Sequence, residues 1–215
     1  MNSDFARSQM LKQQIRAWEV LDEKVLGILE LIPRENFVPK EFINFAFADM
    51  EIPLSHDESM MTPKVEGRLL QSLEINKDDL VLEVGTGSGY LTACLAALSK
   101  EVISIDIHED FLISAEKKLL HQKIRNAKLL NKDMSLIDQK DKFDIIVFTG
   151  SLKKLPKKFT TLLRPEGKIF AVIGEDPIMQ AQIITSDNNL INQNTLFETY
   201  LTPLQNQSLS KTFSL

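Results

Sequence analysis

Residues 80 to 90 read Leu80-Val81-Leu82-Glu83-Val84-Gly85-Thr86-Gly87-Ser88-Gly89-Tyr90, and this order decides the fold. Four apolar residues and one carboxylate make a run of the length expected for a buried strand. Glycines at alternating positions follow, and an apolar segment of helical character runs from Tyr90 to Leu98. The pattern predicts a strand, a turn too tight for side chains, and a helix N-terminus. Glycine suits such a turn because its backbone reaches dihedrals that other residues avoid, and because a ligand can then lie against the main chain. Many nucleotide-binding folds place a glycine turn here, so the spacing has to be read closely. A dinucleotide fingerprint wants G-x-G-x-x-G, and its last position, counted from Gly85, is Tyr90. The spacing is E-x-G-x-G-x-G instead.

Downstream the pattern alternates between strand and helix. Residues 102–105 form a second apolar run that ends at Asp106. Residues 109–121 read as a helix with Phe111, Leu112, Ala115, Leu119 and Leu120 inward. Residues 127–130 are a short third strand before Asp133. Residues 143–148 are almost wholly apolar, as expected for a central parallel strand covered on both faces. A helix over 155–163, a turn at Pro165-Glu166-Gly167 and a strand over 168–173 follow. Residues 181–185 and 196–201 read as strands separated by a turn at Asp187-Asn188-Asn189.

Upstream, residues 1–18 read as a helix with Phe5, Met10, Leu11, Ile15 and Trp18 on one face. Asp22 is placed to cap a helix over 23–31, which Pro33 closes. Residues 42–47 are a short apolar segment, and 49–62 lack periodicity and read as a loop. Pro63 then opens a helix to about Leu73, proline being favoured in a first turn. The whole predicts a doubly wound, mostly parallel α/β sheet with a helical N-terminal cap and antiparallel C-terminal strands. It is read as a single domain over 1–215: cap and loop to 75, ligand-binding core over 76–175, and C-terminal strands from 176.

A chain of 215 residues can bury a substantial core without staples. Its net charge of −5 argues against a nucleic-acid partner, which calls for a basic face. The basic cluster Lys153, Lys154, Lys157 and Lys158 is read as a solvated helix start. The chain opens with Asp4 and polar residues rather than a signal-peptide pattern, and no apolar stretch reaches bilayer-spanning length. Cys94, the single cysteine, has no partner for a disulfide or a metal cluster, and a cytoplasmic location is expected. His56 falls in the 49–62 loop and reads as a solvated residue or as one that orients a substrate, His108 and His121 fall at a helix start and end without metal-ligand spacing, and no metal is expected. Nothing in the pattern specifies an oligomeric state.

In a doubly wound sheet the ligand lies beyond the C-terminal strand ends, near the switch in strand order. Glu83, Asp106 and Asp133 are expected there. Carboxylates accept hydrogen bonds from ribose hydroxyls and from an exocyclic amine, so together they suit a nucleoside. They also favour a cationic ligand and would repel a pyrophosphate.

The spacing from Glu83 to Gly89 resembles motif I of the class I S-adenosylmethionine (SAM) methyltransferases, whose fold is Rossmann-like. A more specific resemblance covers roughly the first 175 residues. It is carried by Gln14-Ile15-Arg16, Asp22-Glu23-Lys24-Val25-Leu26 and Ile32-Pro33-Arg34-Glu35-Asn36-Phe37-Val38-Pro39. Ala46-Phe47-Ala48-Asp49, Ile52-Pro53-Leu54, Lys132-Asp133, Phe143-Asp144 and Leu163-Arg164-Pro165-Glu166-Gly167-Lys168 continue it. In this order and spacing they resemble the protein-L-isoaspartate O-methyltransferases. The resemblance implies methyl transfer from SAM to the side carboxylate of isoaspartyl residues in damaged proteins, as a repair reaction; charge and hydropathy separately lead to the expectation of no nucleic-acid and no membrane partner. It implies a SAM site at Glu83, Gly85, Thr86, Gly87, Ser88, Gly89, Tyr90, Asp106, Ile107, Asp133, Met134 and Thr149.

The acceptor segment departs from the family's Gln-Thr-Ile-Ser-Gln-Pro, reading Glu58-Ser59-Met60-Met61-Thr62-Pro63. Ser59 and Thr62 are the candidate acceptor hydroxyls, Met61 stands where the family has a second one, and Glu58 adds a negative charge. Thr149-Gly150-Ser151-Leu152 and the stretch from Leu196 to Leu204 depart as well. Two alternatives accompany the repair reading: a SAM-dependent enzyme for another acceptor, and a SAM-binding protein without activity.

Overall fold

The computed structural model describes residues 3–138, 140, 142–187 and 190–205. Helix α1 (Ser3–Gln9) runs on into a wider π-type turn (Met10–Ile15) and a 3-10 turn (Arg16–Trp18). Met10, Leu11 and Ile15 are buried, but Phe5 and Trp18, expected on the same face, are exposed. A π-type turn takes more residues per revolution, so a face spaced for 3.6 residues drifts away from the core. Trp18 instead lies under the Lys64 ammonium, 4.3 Å from its ring centre. Helix α2 (Glu23–Leu31) starts on the Asp22 carboxylate, which accepts from the amides of Lys24 and Val25, and ends before Pro33.

The apolar segment after Pro39 is a 3-10 turn, Lys40–Phe45. Within the expected loop, β1 (Ile52–Pro53) and β2 (Ser59–Met60) pair as a small antiparallel hairpin. Helix α3 (Pro63–Leu73) then buries Val65, Leu69, Leu70 and Leu73, the face its spacing predicts.

The main sheet is built from β3 (Leu80–Val84), β4 (Glu101–Asp106), β5 (Ala127–Asn131), β6 (Phe143–Leu152), β7 (Leu163–Glu175), β8 (Ile178–Asp187) and β9 (Leu190–Glu198). Their order is β5-β4-β3-β6-β7-β8-β9, parallel from β5 to β7 and antiparallel beyond. The chain winds outward from β3 to β5 and then returns to β6 on the other side, so the switch in strand order falls at β3. Between strands lie α4 (Tyr90–Leu98), α5 (Glu109–His121) and α6 (Lys158–Leu162). Period-two alternation assigns Val81 to the core beneath α2, α3 and α4, and Leu82 and Val84 to the core on the opposite face with Phe148 and Phe159. This is the doubly wound sheet the sequence predicts.

Several boundaries differ from expectation. Strand β6 continues past Phe148 to Leu152, with a register shift between Val147 and Ser151 that leaves Thr149 and Gly150 in a bulge at the site. The turn at Pro165–Gly167 lies inside β7 as an irregularity, Phe143 pairing with Leu163 and Ile145 with Lys168. Helix α6 is half its expected length, and Lys153 and Lys154 precede it. Strands β8 and β9 form a longer hairpin, and the residues 196–201 expected as a strand leave it after Glu198. The centre of the expected turn, 188–189, lies outside the described residues. Leu120, expected inward, is exposed on α5.

Two glycines give contrasting stability tests. Gly89 has φ 83°, and a Cβ there would stand 2.8 Å from the Ala115 Cβ on α5. Gly27 lies in α2, and a Cβ there meets nothing within 4 Å. Gly89→Ala is expected to lose about 1–3 kcal/mol in urea unfolding, and Gly27→Ala to gain roughly 0.5–1 kcal/mol.

Candidate functional site

A cleft of about 710 Å³, open mouth included, lies beyond the C-terminal ends of β3, β4 and β6. Its floor is the glycine turn. Gly85 has φ 99°, and a Cβ there would fall 2.1 Å from the Thr149 hydroxyl. That hydroxyl donates towards the carbonyls of Val84 (3.0 Å) and Gly85 (2.8 Å), tying the ends of β3 and β6 together. Gly87 has φ 49° and a different reason to be glycine. Its Cβ would meet only Leu54, at 3.4 Å, and would otherwise occupy the cleft, so glycine keeps the main chain open to a ligand.

Asp106 ends β4 with its side chain almost fully buried. One carboxylate oxygen accepts from the Gly87 amide (3.0 Å) and the other from the His108 amide (2.9 Å). Two backbone loops therefore hold the carboxylate rigid, and each oxygen keeps a further lone pair for a ligand hydroxyl. Asn131 steadies the same loop by donating to the carbonyls of Asp106 and Ile107. Asp133, after β5, accepts from the Ser135 amide at 2.7 Å and lines the cleft beside Met134. Ile107, Phe111 and Met134 add apolar wall.

Glu83 plays a different part from the other two acids. It is fully buried, and one oxygen accepts from the hydroxyls of Thr92 (2.5 Å) and Ser104 (2.6 Å), while the other has no hydrogen-bond partner. Burial pushes its carboxyl up to about 8 against the two hydroxyls that favour the anion. It is a hydrogen-bonded strut between β3, β4 and α4, and its burial favours the protonated form. It borders a smaller cavity under the turn, where Thr86 and Ser88 also lie. The Thr86 and Ser104 hydroxyls are 2.6 Å apart.

Three residues expected at the site line neither cavity. Gly89 makes room for Ala115. Tyr90 points into the cap core, where its ring meets Phe37 edge-on at 5.6 Å and Arg34 stacks at 5.3 Å. The Thr62 hydroxyl is buried and without a hydrogen-bond partner, and it makes no cap bond to α3.

On the acceptor side, Ser59 Oγ faces the cleft, donating to Glu51 (3.1 Å) and lying 3.0 Å from Thr202 Oγ1. Met61 is buried in the core, its carbonyl held by Arg34 at 2.7 Å. Arg34 itself pairs with Glu66 at 3.2 Å, both side chains buried. Burial pushes Glu66 up to about 7, with Arg34 opposing. Glu58 also lines the cleft, and its carboxyl is raised first by burial and then by the charge of Asp106. Burial raises Glu51 as well.

The loop ahead of Glu58 is clasped to α5. His56 lies within 3.0 and 3.1 Å of the two Asp110 oxygens and stacks on His108 at 3.9 Å, the rings 1° from parallel. These three side chains approach closely enough to share an ion. Parallel rings direct their in-plane lone pairs along separate planes; His56 is hydrogen-bonded to Asp110, while the buried His108 Nε2 has no hydrogen-bond partner. His56 and Asp57 both adopt positive φ (61° and 60°) to reach it.

The C-terminal segment, which the sequence marks only as a departure from the family's ending as far as Leu204, supplies the cleft residues Leu201, Thr202, Leu204 and Gln205. Pro203 forms a parallel bridge to Ser151. No local pattern announces this, because the segment reads as an exit from a hairpin and its partner lies about fifty residues earlier. Lys132 was visible only as the neighbour of Asp133.

A parallel sheet with a glycine floor at its switch point, a fixed carboxylate after the second strand and a capped aspartate after the third defines a class I SAM-dependent methyltransferase. The family model described as protein-L-isoaspartate(D-aspartate) O-methyltransferase matches residues 6–209, well past the 175 residues of the sequence resemblance. A protein-L-isoaspartate O-methyltransferase of Koribacter versatilis is 29% identical over 92% of this chain and 90% of its own. One from Paramagnetospirillum magneticum is 31% identical over 77% and 78%. A Plasmodium falciparum structure named for the same enzyme, solved with S-adenosyl-L-homocysteine, superposes with a TM-score of 0.83 at 22% identity, covering 94% of this chain and 99% of that one. The chain belongs to the protein-L-isoaspartate(D-aspartate) O-methyltransferase family.

The state of Glu83 is testable through stability. Its carboxyl rises from 4.5 to about 8 on folding, so the folded chain holds a proton that the unfolded chain has released. That contribution is complete below pH 4.5 and is lost progressively as pH rises towards about 8. Glu83→Gln, which mimics the protonated acid, is expected to flatten the decline in urea stability between pH 5 and 8.

Proposed function

We propose that this protein transfers the methyl group of SAM to the side carboxylate of L-isoaspartyl residues in damaged proteins, initiating their repair. The single observation that carries the reading is the family match across residues 6–209, which spans both the cofactor floor and the acceptor side of the cleft. The residues present suit the cofactor. Asp106 offers free lone pairs where ribose hydroxyls would donate, Asp133 offers an acceptor for the adenine amine, and Ile107, Phe111 and Met134 offer an apolar slot. Gly87 leaves the room that a side chain would take. Several carboxylates around the cleft also favour a cationic ligand.

Bound SAM supplies an electrophilic methyl group on a sulfonium. The acceptor is a carboxylate, already ionised at neutral pH, so no general base is needed. What the chain must do is strip water from that carboxylate and hold it in line, and Ser59 is placed to donate to it. Glu58, in the same cleft, opposes an anionic acceptor. The lone buried Cys94 suits a reducing cytoplasm, and no helix among the described residues is long and apolar enough to cross a membrane.

Labelled SAM is expected to methylate an isoaspartyl peptide and to leave its aspartyl counterpart unlabelled. Equal labelling of both peptides would refute the assignment, and SAM binding without transfer to either would point to another acceptor. Asp106→Asn is expected to weaken SAM binding by roughly tenfold or more, because it loses charge-assisted acceptance from the ribose. Glu58→Gln is expected to lower the KM for the isoaspartyl peptide severalfold, an effect that shrinks at high salt.

A further inference from the structure

An acceptor carboxylate has several lone pairs to satisfy once it leaves water, and one serine proton is a poor replacement for its hydration shell. Of the hydroxyls the acceptor segment offers, only Ser59 faces the cleft. Met61 has none, and Thr62 is turned into the protein. A second hydroxyl nevertheless stands 3.0 Å from Ser59 Oγ, brought from 143 residues away in sequence: Thr202 Oγ1. We propose that Thr202 is the second acceptor-binding donor, gripping the isoaspartyl carboxylate together with Ser59. This inference rests on the repair reading above.

The proton count supports it. Ser59 has one proton, and with Glu51 ionised that proton goes to Glu51 at 3.1 Å. Ser59 must then be the acceptor in its contact with Thr202, so the resting chain runs from Thr202 to Ser59 to Glu51. Both hydroxyls can rotate towards an entering carboxylate without either residue moving. Glu51, left without its donor, is a half-buried carboxyl that burial already predisposes to bind a proton.

Thr202 is also held in place before any acceptor arrives. The Ser151 amide donates to the Thr202 carbonyl (3.0 Å), the Leu204 amide donates to the Ser151 carbonyl (3.0 Å), and the Ser151 hydroxyl donates to Leu201 (2.9 Å). Gly150 allows this approach, since a Cβ there would lie 2.8 Å from the Thr202 carbonyl oxygen. A donor fixed on both sides costs little further ordering when the acceptor binds.

The test is steady-state kinetics on Thr202→Val and Thr202→Ser, with SAM affinity measured by calorimetry. Thr202→Val, nearly isosteric, is expected to raise the isoaspartyl-peptide KM by about tenfold to a hundredfold, with the SAM Kd unchanged. Thr202→Ser is expected to stay within about twofold of wild type because it keeps the donor. A Thr202→Val KM within twofold of wild type would overturn the inference while leaving the repair reading intact. Equal losses in KM and SAM Kd for both variants would show a purely structural role and overturn it too. A wild-type chain that binds SAM but does not methylate the isoaspartyl peptide would overturn the repair reading itself, and this inference with it.

Discussion

Two side chains stand where the glycine turn has none. The Thr149 hydroxyl occupies the place of a Cβ at residue 85, and the Ala115 methyl that of one at residue 89. These exclusions hold the end of β3 against β6 on one side and against α5 on the other. The Gly87 main chain is left as bare cleft floor between them. Asp106 then locks the turn by accepting the Gly87 amide, so the residue placed to meet the ligand also fixes the floor it lies on. Such rigidity is what an in-line transfer needs, since the reaction asks the protein mainly for position.

Beneath that floor the protein buries ionisable groups, which is costly unless each is neutralised or paired. Burial pushes Glu83 towards its neutral form, and the carboxyl serves as a hydrogen-bonded strut between two strands and α4. Arg34 and Glu66 are paired instead. A buried pair of this sort is weak evidence for stability, but it has a geometric consequence. Arg34 reaches the Met61 carbonyl and so couples the cap to the acceptor segment. The π-type turn of the first helix brings Ile15 against Gly67 of α3, and the cap core continues from there to α4 and β3.

The acceptor side is assembled differently. Its walls come from the loop around His56, from hairpin strand β2 and from the C-terminal segment docked on the end of β6. Each is fastened by a few polar contacts: the His56 stack and its Asp110 partner, the Ser59–Thr202 hydroxyl pair, and the Ser151 bridge. A cofactor half built on rigid sheet ends and an acceptor half built on fastened loops can change independently. This fits a chain whose motif I is intact and whose acceptor segment carries Met61 and Glu58.

The strand–turn–helix at residues 80–98, the doubly wound class, and the acids at 106 and 133 are legible in the sequence. Those features are local: apolar periodicity marks elements, and steric exclusion at a tight turn can be met only by glycine. Sequence also showed that a hydroxyl was missing at residue 61. The tertiary structure alone shows that Tyr90 faces the cap core, that Thr62 turns inward, that Glu83 is buried against the Thr92 and Ser104 hydroxyls, and that Thr202 stands beside Ser59. Each of those outcomes depends on burial or on contacts between distant segments, 143 residues apart for Ser59 and Thr202. Apolar periodicity reveals a buried face, but the burial of a single polar side chain and its contact with a distant segment leave no such trace.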